Sequence, residues 1–316
     1  MRLGGIDAGG TTFKLMIGTG PDLIEDEHRV PTTRPAETLA AVAAWFAARG
    51  PIDTIGIGSF GPVVSDRSSA DHGRLLITPK PGWSHVDLVT PLRDALNVPI
   101  TIESDVVAAA MAEQTWGAAR GCRATAYVTI GTGVGVGMLV DGQPAHGLMQ
   151  AEGGHIFVPI APVDRAFAGT CPHHGACLEG LVSAAAIRAR WQCGAEQLAD
   201  DHDAWRVLGH YVGHLAHLCV LLAGVDRVVL GGGIGTREIL AHRARQTMGD
   251  LIGTYTSVTA ARGGPTGIIT PAALGTRSGA LGALLLARDA LEQRRGMRVA
   301  AEASVGYRRT SSPPAR

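Results

Sequence analysis

"LGGIDAGGTTFKLMIG", residues 3–18, runs an apolar strand into a glycine-rich bend and out again into an alternating strand. The same design returns at residues 126–143, "AYVTIGTGVGVGMLVDGQ". That second copy closes on Asp141-Gly142, a dipeptide suited to a two-residue hairpin turn because both positions tolerate positive φ. A strand–turn–strand with Gly and Thr at its bend, occurring twice about 120 residues apart, predicts a duplicated domain. Between the copies the pattern gives a helix over 37–49, a strand "IDTIGIG" (52–58), and a strand "VPITIESD" (98–105). The last runs into a helix, 106–116, that stops at Gly117, a favoured C-terminal residue. The second half offers helices near 180–191, 203–223, 236–250 and 275–290, with strands near 227–231 and 267–270. Strands alternating with helices argue an α/β chain. The expected division is residues 1–116, residues 117–290 with the last helix packing back on the first domain, and a disordered tail over 291–316.

Composition sets limits on function. A chain of 316 residues, 46% hydrophobic, exceeds the roughly 250–300 residues at which a single core stops growing, so two cores are expected. Its 28 basic and 28 acidic side chains are evenly mixed, with neither the basic stripe of a nucleic-acid binder nor an acidic block. "MRLGGIDAGG" lacks the apolar run of a signal peptide, and "HLAHLCVLLAGV" (214–225) is too short to span a membrane. The chain therefore reads as cytoplasmic, where thiols stay reduced and clustered cysteines favour metal over disulfide. Its 43 glycines point to tight turns and close backbone approach to a ligand.

Three glycine turns follow apolar strands. "DAGGTT" (7–12) presents Gly9 and Gly10 with the hydroxyls of Thr11 and Thr12, and Lys14 adds a charge. "GTGVGVG" (131–137) offers Gly131, Thr132 and Gly133, and "LGGGIGT" (230–236) places Gly231, Gly232 and Gly233 where a strand meets a helix. Any one alone is an ordinary tight turn; three together favour a nucleotide. Neither the P-loop pattern nor the dinucleotide fingerprint is present. Asp105 ends a strand where a helix begins, which suits either an N-cap or a general base held at the carboxyl edge of a sheet. In "GTCPHHGACLEG" (169–180), Cys171, His174 and Cys177 follow a C-x2-H-x2-C spacing, with His155 upstream. Two thiolates and two imidazoles match a closed tetrahedral zinc site, leaving His173 spare. His210, His214 and His217 share a helix face without a carboxylate or thiol partner, and read as a half-buried surface. Cys122, Cys193 and Cys219 read as core or surface thiols.

Taken in order, these segments resemble the ROK group of sugar kinases, and within it the bacterial fructokinases, over residues 3–290. "GGIDAGGTTFK" resembles the family's first phosphate motif, and "YVTIGTGVGVGMLVDGQPAHG" its second. "IGSFGPV" (57–63) and "ITPKPGWSHVDLV" (77–89) resemble sugar-side segments, and "ESDVVAAAMAEQTWGAA" the catalytic strand and helix. "AEGGHI" with "CPHHGACLEG" resembles the zinc and sugar region, and "LGGGI" with "LGTRSGALGALLLA" the nucleotide side.

The resemblance implies an actin-like, hexokinase-like (ribonuclease H-like) fold of two α/β domains around a cleft. It implies Asp105 as the general base with Ser104 beside it, and Glu152, His155 and Glu179 on the sugar hydroxyls. It implies structural zinc held by His155, Cys171, His174 and Cys177, and Asp7 near the Mg²⁺ that accompanies ATP. Val107 departs from the family, where Asn is common. The implied reaction is phosphorylation of a hexose by ATP, D-fructose to fructose 6-phosphate first, with glucose and mannose as alternatives. A homodimer without DNA binding is implied, since no helix-turn-helix precedes the first phosphate strand. A non-catalytic sugar-binding regulator should have lost the base or the phosphate turns, and a zinc hydrolase needs an open metal position.

Overall fold

The computed structural model describes residues 1–147, 150–255, 257–260 and 262–293. Apart from 291–293, which continue the last helix, the expected tail at 291–316 lies outside the described residues. The chain divides into two compact units, Met1–Glu103 with the segment from Ala283 onward, and Ser104–Gly282.

The first unit holds β1 (Leu3–Ala8), β2 (Thr12–Gly20), β3 (Leu23–Pro31), α1 (Pro35–Ala47), β4 (Thr54–Ser59), α2 (Val89–Leu96) and β5 (Ile100–Ser104). Its sheet order is β3-β2-β1-β4-β5. β1 is antiparallel to β2 and parallel to β4, and every residue of β1 and β4 is buried. Such unbroken apolar runs mark strands covered on both faces. α1 opens on Pro35, whose missing N–H costs nothing in a first turn, and buries Leu39, Val42 and Phe46 from one face. Charged β3 forms the open edge, where Glu25 and Asp26 pair with Arg2 and Arg49.

The second unit holds α3 (Asp105–Trp116), β6 (Ala124–Ile130), β7 (Val134–Val140), β8 (Gln143–Pro144), α4 (Leu178–Val182), α5 (Ala184–Trp191), α6 (Ala204–Ala223), β9 (Arg227–Gly231), α7 (Gly232–Gly235), α8 (Glu238–Ile252) and β10 (Ile269–Pro271). Its sheet order is β10-β9-β6-β7-β8, the first sheet's topology with each strand replaced by the one five later. The predicted duplication is thus present strand for strand. Asp141 and Gly142 both adopt positive φ in the β7–β8 turn, as that dipeptide predicts. α6 packs on α8 through Gly209 and Gly213, where a Cβ would lie 2.3 Å from that of Arg243 and 2.6 Å from that of Thr247.

The domain boundary differs from the sequence expectation. The chain passes between units at Glu103/Ser104, ahead of α3 rather than behind it, so Asp105 belongs to the second unit. The physical reason is close packing of α3 on β7. A Cβ at Gly137 would come within 2.3 Å of the Val106 carbonyl oxygen, so only glycine lets the helix settle on that strand. The final helix, 278–293, starts in the second unit and continues into the first. In the second unit Gly282 lies against the Ala108 carbonyl, and in the first the Ala283 carbonyl lies against Gly56.

One buried ion pair braces the second unit. Arg190 on α5 meets Asp164, which also accepts the Tyr211 hydroxyl at 2.7 Å, and the Tyr211 oxygen accepts the Ala161 N–H. Burial pushes the Arg190 pKa down and the Tyr211 pKa up, as expected for groups removed from water. Asp164→Ala strands a buried guanidinium, so urea unfolding should show a loss of about 3–5 kcal/mol. A loss below about 1 kcal/mol would show the guanidinium reaching water.

Candidate active site

The first glycine turn joins β1 to β2. Gly9 N–H donates to the Thr12 carbonyl, and the Gly9 and Thr11 carbonyls are taken up by the hydroxyl and N–H of Thr32. Gly10 carries open space on its Cβ side, as a turn that admits a ligand requires. Asp7 and Lys14 face each other across the β1–β2 ladder, with Nζ 2.8 Å from Oδ2. The Lys14 ammonium therefore sits on the largely buried Asp7 carboxylate.

Sequence reasoning missed what fixes this turn. Trp83, fully buried in the "PKPGW" stretch, donates its indole N–H to Thr33 and packs on Phe13 and Phe60. Phe13 follows the turn directly, and Phe60 donates its N–H to the Ala8 carbonyl before it. The 77–89 segment is thereby riveted to the first glycine turn. Its one legible signal was a tryptophan in a Gly/Pro-rich loop, where an aromatic residue marks an anchor.

The other two turns end the adjacent strands β6 and β9, parallel with Thr129 opposite Gly231. A Cβ at Gly131 would stand 4.0 Å from the Gly233 nitrogen, so the turns lie side by side. Gly232 needs its positive φ, and a side chain there would strike the Ile130 carbonyl. Thr132 is exposed at the tip, and Gly233 has open space beside it.

Asp105 is the first residue of α3, at the carboxyl end of β5. The cap is Ser104, whose buried Oγ accepts the Val107 N–H at 3.3 Å, while Asp105 Oδ1 accepts the Val106 N–H at 2.8 Å. The N-cap role considered for Asp105 thus falls to its neighbour. Val107 is buried in an apolar cluster with Ala110 and Tyr127. Glu113, fully buried on α3, was also missed: it accepts the Ala118, Ala273 and Leu274 N–H groups and the Ser278 hydroxyl. It thereby ties down the start of the "LGTRSGALGALLLA" segment. An acid on a helix reads from sequence as a solvated face.

The sequence-predicted metal ligands converge. One ligand atom from each of His155, Cys171, His174 and Cys177 lies within 4.8 Å of all the others. The Cys171 Sγ lies 3.8 and 3.9 Å from Nδ1 of His155 and His174, and the Cys177 Sγ lies 3.6 Å from Nδ1 of His155. Zinc bonds of about 2.0–2.3 Å set tetrahedral edges of about 3.3–3.8 Å; the two sulfur contacts of His155 fall in that range, and the wider ones would have to contract on a bound ion. Burial pushes the Cys177 thiol up to about 11, so ionising it as a ligand would take a cation beside it. Among the described residues no other His/Cys/Asp/Glu group gathers this way, so His173 and the His210–His214–His217 face stay outside it. Burial, with Glu179 nearby, raises the Glu152 pKa, and Glu179 Oε2 accepts the Val134 N–H at 3.0 Å.

The sequence profile of the ROK family matches residues 3–290. The chain belongs to the ROK family. The fructokinase of Zymomonas mobilis is 38% identical over 260 residues, covering 80% of this chain and 86% of its own. That of Pediococcus pentosaceus is 35% identical over 295 residues, covering 92% and 99%. The ROK hexokinase of Thermus thermophilus superimposes with a TM-score of 0.70 at 26% identity, covering 93% of this ROK protein and all of its own chain. A ROK glucokinase from Streptomyces griseus, solved with glucose and AMPPNP, shares the fold at a TM-score of 0.71 and 24% identity, with 92% and 100% covered. The two-domain α/β sugar-kinase fold implied by the motifs is the fold observed. No helix among the described residues is long and apolar enough to cross a membrane.

Proposed function

We propose that this ROK protein transfers the γ-phosphoryl group of Mg–ATP to the 6-hydroxyl of D-fructose. One observation supports the reading beyond family membership: Glu179, two residues past Cys177 of the Cys/His cluster, accepts the Val134 N–H of the glycine turn, as a sugar carboxylate built next to a phosphate turn would. Phosphoryl transfer asks mainly for positioning and charge neutralisation. The amides of the turns at 9–12, 131–133 and 231–233 would hold the ATP phosphates, with Asp7 beside Mg²⁺ and Lys14 beside Asp7. Asp105 would accept the proton of the attacking hydroxyl, while Ser104, Glu152, His155 and Glu179 orient the sugar. His155, Cys171, His174 and Cys177 would hold zinc, which with four protein ligands supplies rigidity rather than chemistry. A homodimer in the cytoplasm completes the reading, on the family resemblance.

A coupled assay over a hexose panel with ATP and Mg²⁺ tests it. The expected result is the highest kcat/KM for fructose, because a buried carboxylate left without its hydroxyl partner penalises the wrong sugar. A higher value for glucose or mannose would reassign the sugar, and no turnover with any hexose would remove the kinase reading.

A further inference from the structure

The turn at 131–134 is held by more than its own hairpin. Gly131 N–H donates to the Gly133 carbonyl at 3.0 Å, and the Gly131 carbonyl accepts the Ala184 N–H at 2.8 Å from the start of α5. The Val134 N–H, which begins β7, turns to the Glu179 carboxylate at 3.0 Å. Glu179 lies in the first turn of α4, two residues past the metal ligand Cys177. Its Oε2 fills the space above Gly133, where a Cβ would stand 2.7 Å from it. From the other side Gly154, next to the ligand His155, rests on the Val134 carbonyl, which a Cβ would approach to 2.0 Å. Both arms of the knuckle therefore press on one residue of the turn.

We propose that Glu179 is a positioning residue for the second phosphate turn, through which the Cys/His knuckle sets nucleotide affinity as well as sugar affinity. The proposal rests on the kinase reading above. Its physical basis is the 3.0 Å hydrogen bond from the Val134 amide to the Glu179 side-chain oxygen, which fixes the end of the turn where β7 begins. Held by it, the turn keeps its remaining amides aimed outward for an anion, and ordering is not repeated when ATP binds. One carboxylate oxygen is committed to the turn, so the same group that meets the sugar fixes the phosphate cradle.

Two substitutions at Glu179 separate this role from sugar binding. Glu179→Gln keeps an acceptor for the Val134 N–H and removes a negative charge near the phosphates. Mg–ATP binding, measured by calorimetry without sugar, should hold or tighten, while fructose affinity falls. Glu179→Ala removes the acceptor, so Mg–ATP binding should weaken about tenfold and hydrogen exchange at the Val134 amide should speed up. Gly133→Ala keeps Glu179 but drives its carboxylate off the turn, and should reproduce the alanine phenotype if Glu179→Ala folds poorly. Wild-type nucleotide affinity with a still-protected Val134 amide in both Glu179→Ala and Gly133→Ala would overturn the proposal, even if their melting temperatures fell. Failure of the kinase reading shows differently, as wild-type protein that binds no Mg–ATP.

Discussion

Asp105→Asn should lower kcat by about 10²–10⁴-fold while leaving the sugar KM and the melting curve close to wild type. The kinetic half follows from chemistry. Asparagine has the size of aspartate and keeps an acceptor oxygen, yet cannot take the proton of an attacking hydroxyl near neutral pH. The stability half follows from the local structure. Ser104, not Asp105, caps α3, through the bond from the Val107 N–H to its Oγ. The contact Asp105 makes with the Val106 N–H needs only an oxygen, which the amide supplies. Steady-state kinetics with a thermal melt on the same sample checks both halves. A near-normal kcat would leave Asp105 a helix-start residue and return the search for a base to the other carboxylates. A collapsed melting curve would instead show that the charge serves the fold.

Much of this geometry was readable from residues 3–18 and 126–143, because hairpins announce themselves locally. Two apolar strands, a glycine bend and an Asp-Gly turn are decided by φ and by side-chain alternation within a few residues. The Cys/His cluster was readable for the same reason: three of its four residues sit within seven residues, and the turn between them is closed by Cys171 and Gly175 bonding each other across the bridge.

What the chain concealed depends on distant neighbours. β3 carries Glu25, Asp26, Glu27, His28 and Arg29 in succession because it is an edge strand, and an edge needs charge rather than apolar alternation. α2 begins after Asp87, whose carboxylate accepts the Val89 and Thr90 N–H groups; Pro91 and the short length hid it. A strand followed by a helix reads as one unit, which puts the expected boundary after α3. Only Gly137, far along the chain, shows that the helix packs on the other sheet. Glu113 and Trp83 gave least away, since the partners that explain them, Ser278 and Thr33, lie far off in sequence.

Cys177→Ser should remove the metal and destabilise the second unit by several kcal/mol, because the free energy of a structural zinc site is folding free energy. Serine is isosteric but its hydroxyl stays protonated near neutral pH, so a soft anionic ligand is replaced by a weak neutral one. Cys177 is fully buried and immediately precedes Leu178, which with Leu181 and Val182 belongs to the unit's main apolar cluster. Loosening the knuckle therefore pulls on the core as well as on the loop. It also releases Glu179 and the segment of Glu152, so fructose binding should fall together with stability. Metal analysis of the purified wild type should give about one zinc per chain, the stoichiometry of a four-ligand closed site, and the variant close to none. Thermal unfolding and fructose calorimetry complete the test. Zinc-free wild-type protein with full activity, or a variant that melts as wild type does, would show that the four side chains meet for packing and not for a metal. Loss of zinc and stability with sugar binding intact would separate the metal from the substrate carboxylates, leaving the knuckle a staple for the core alone.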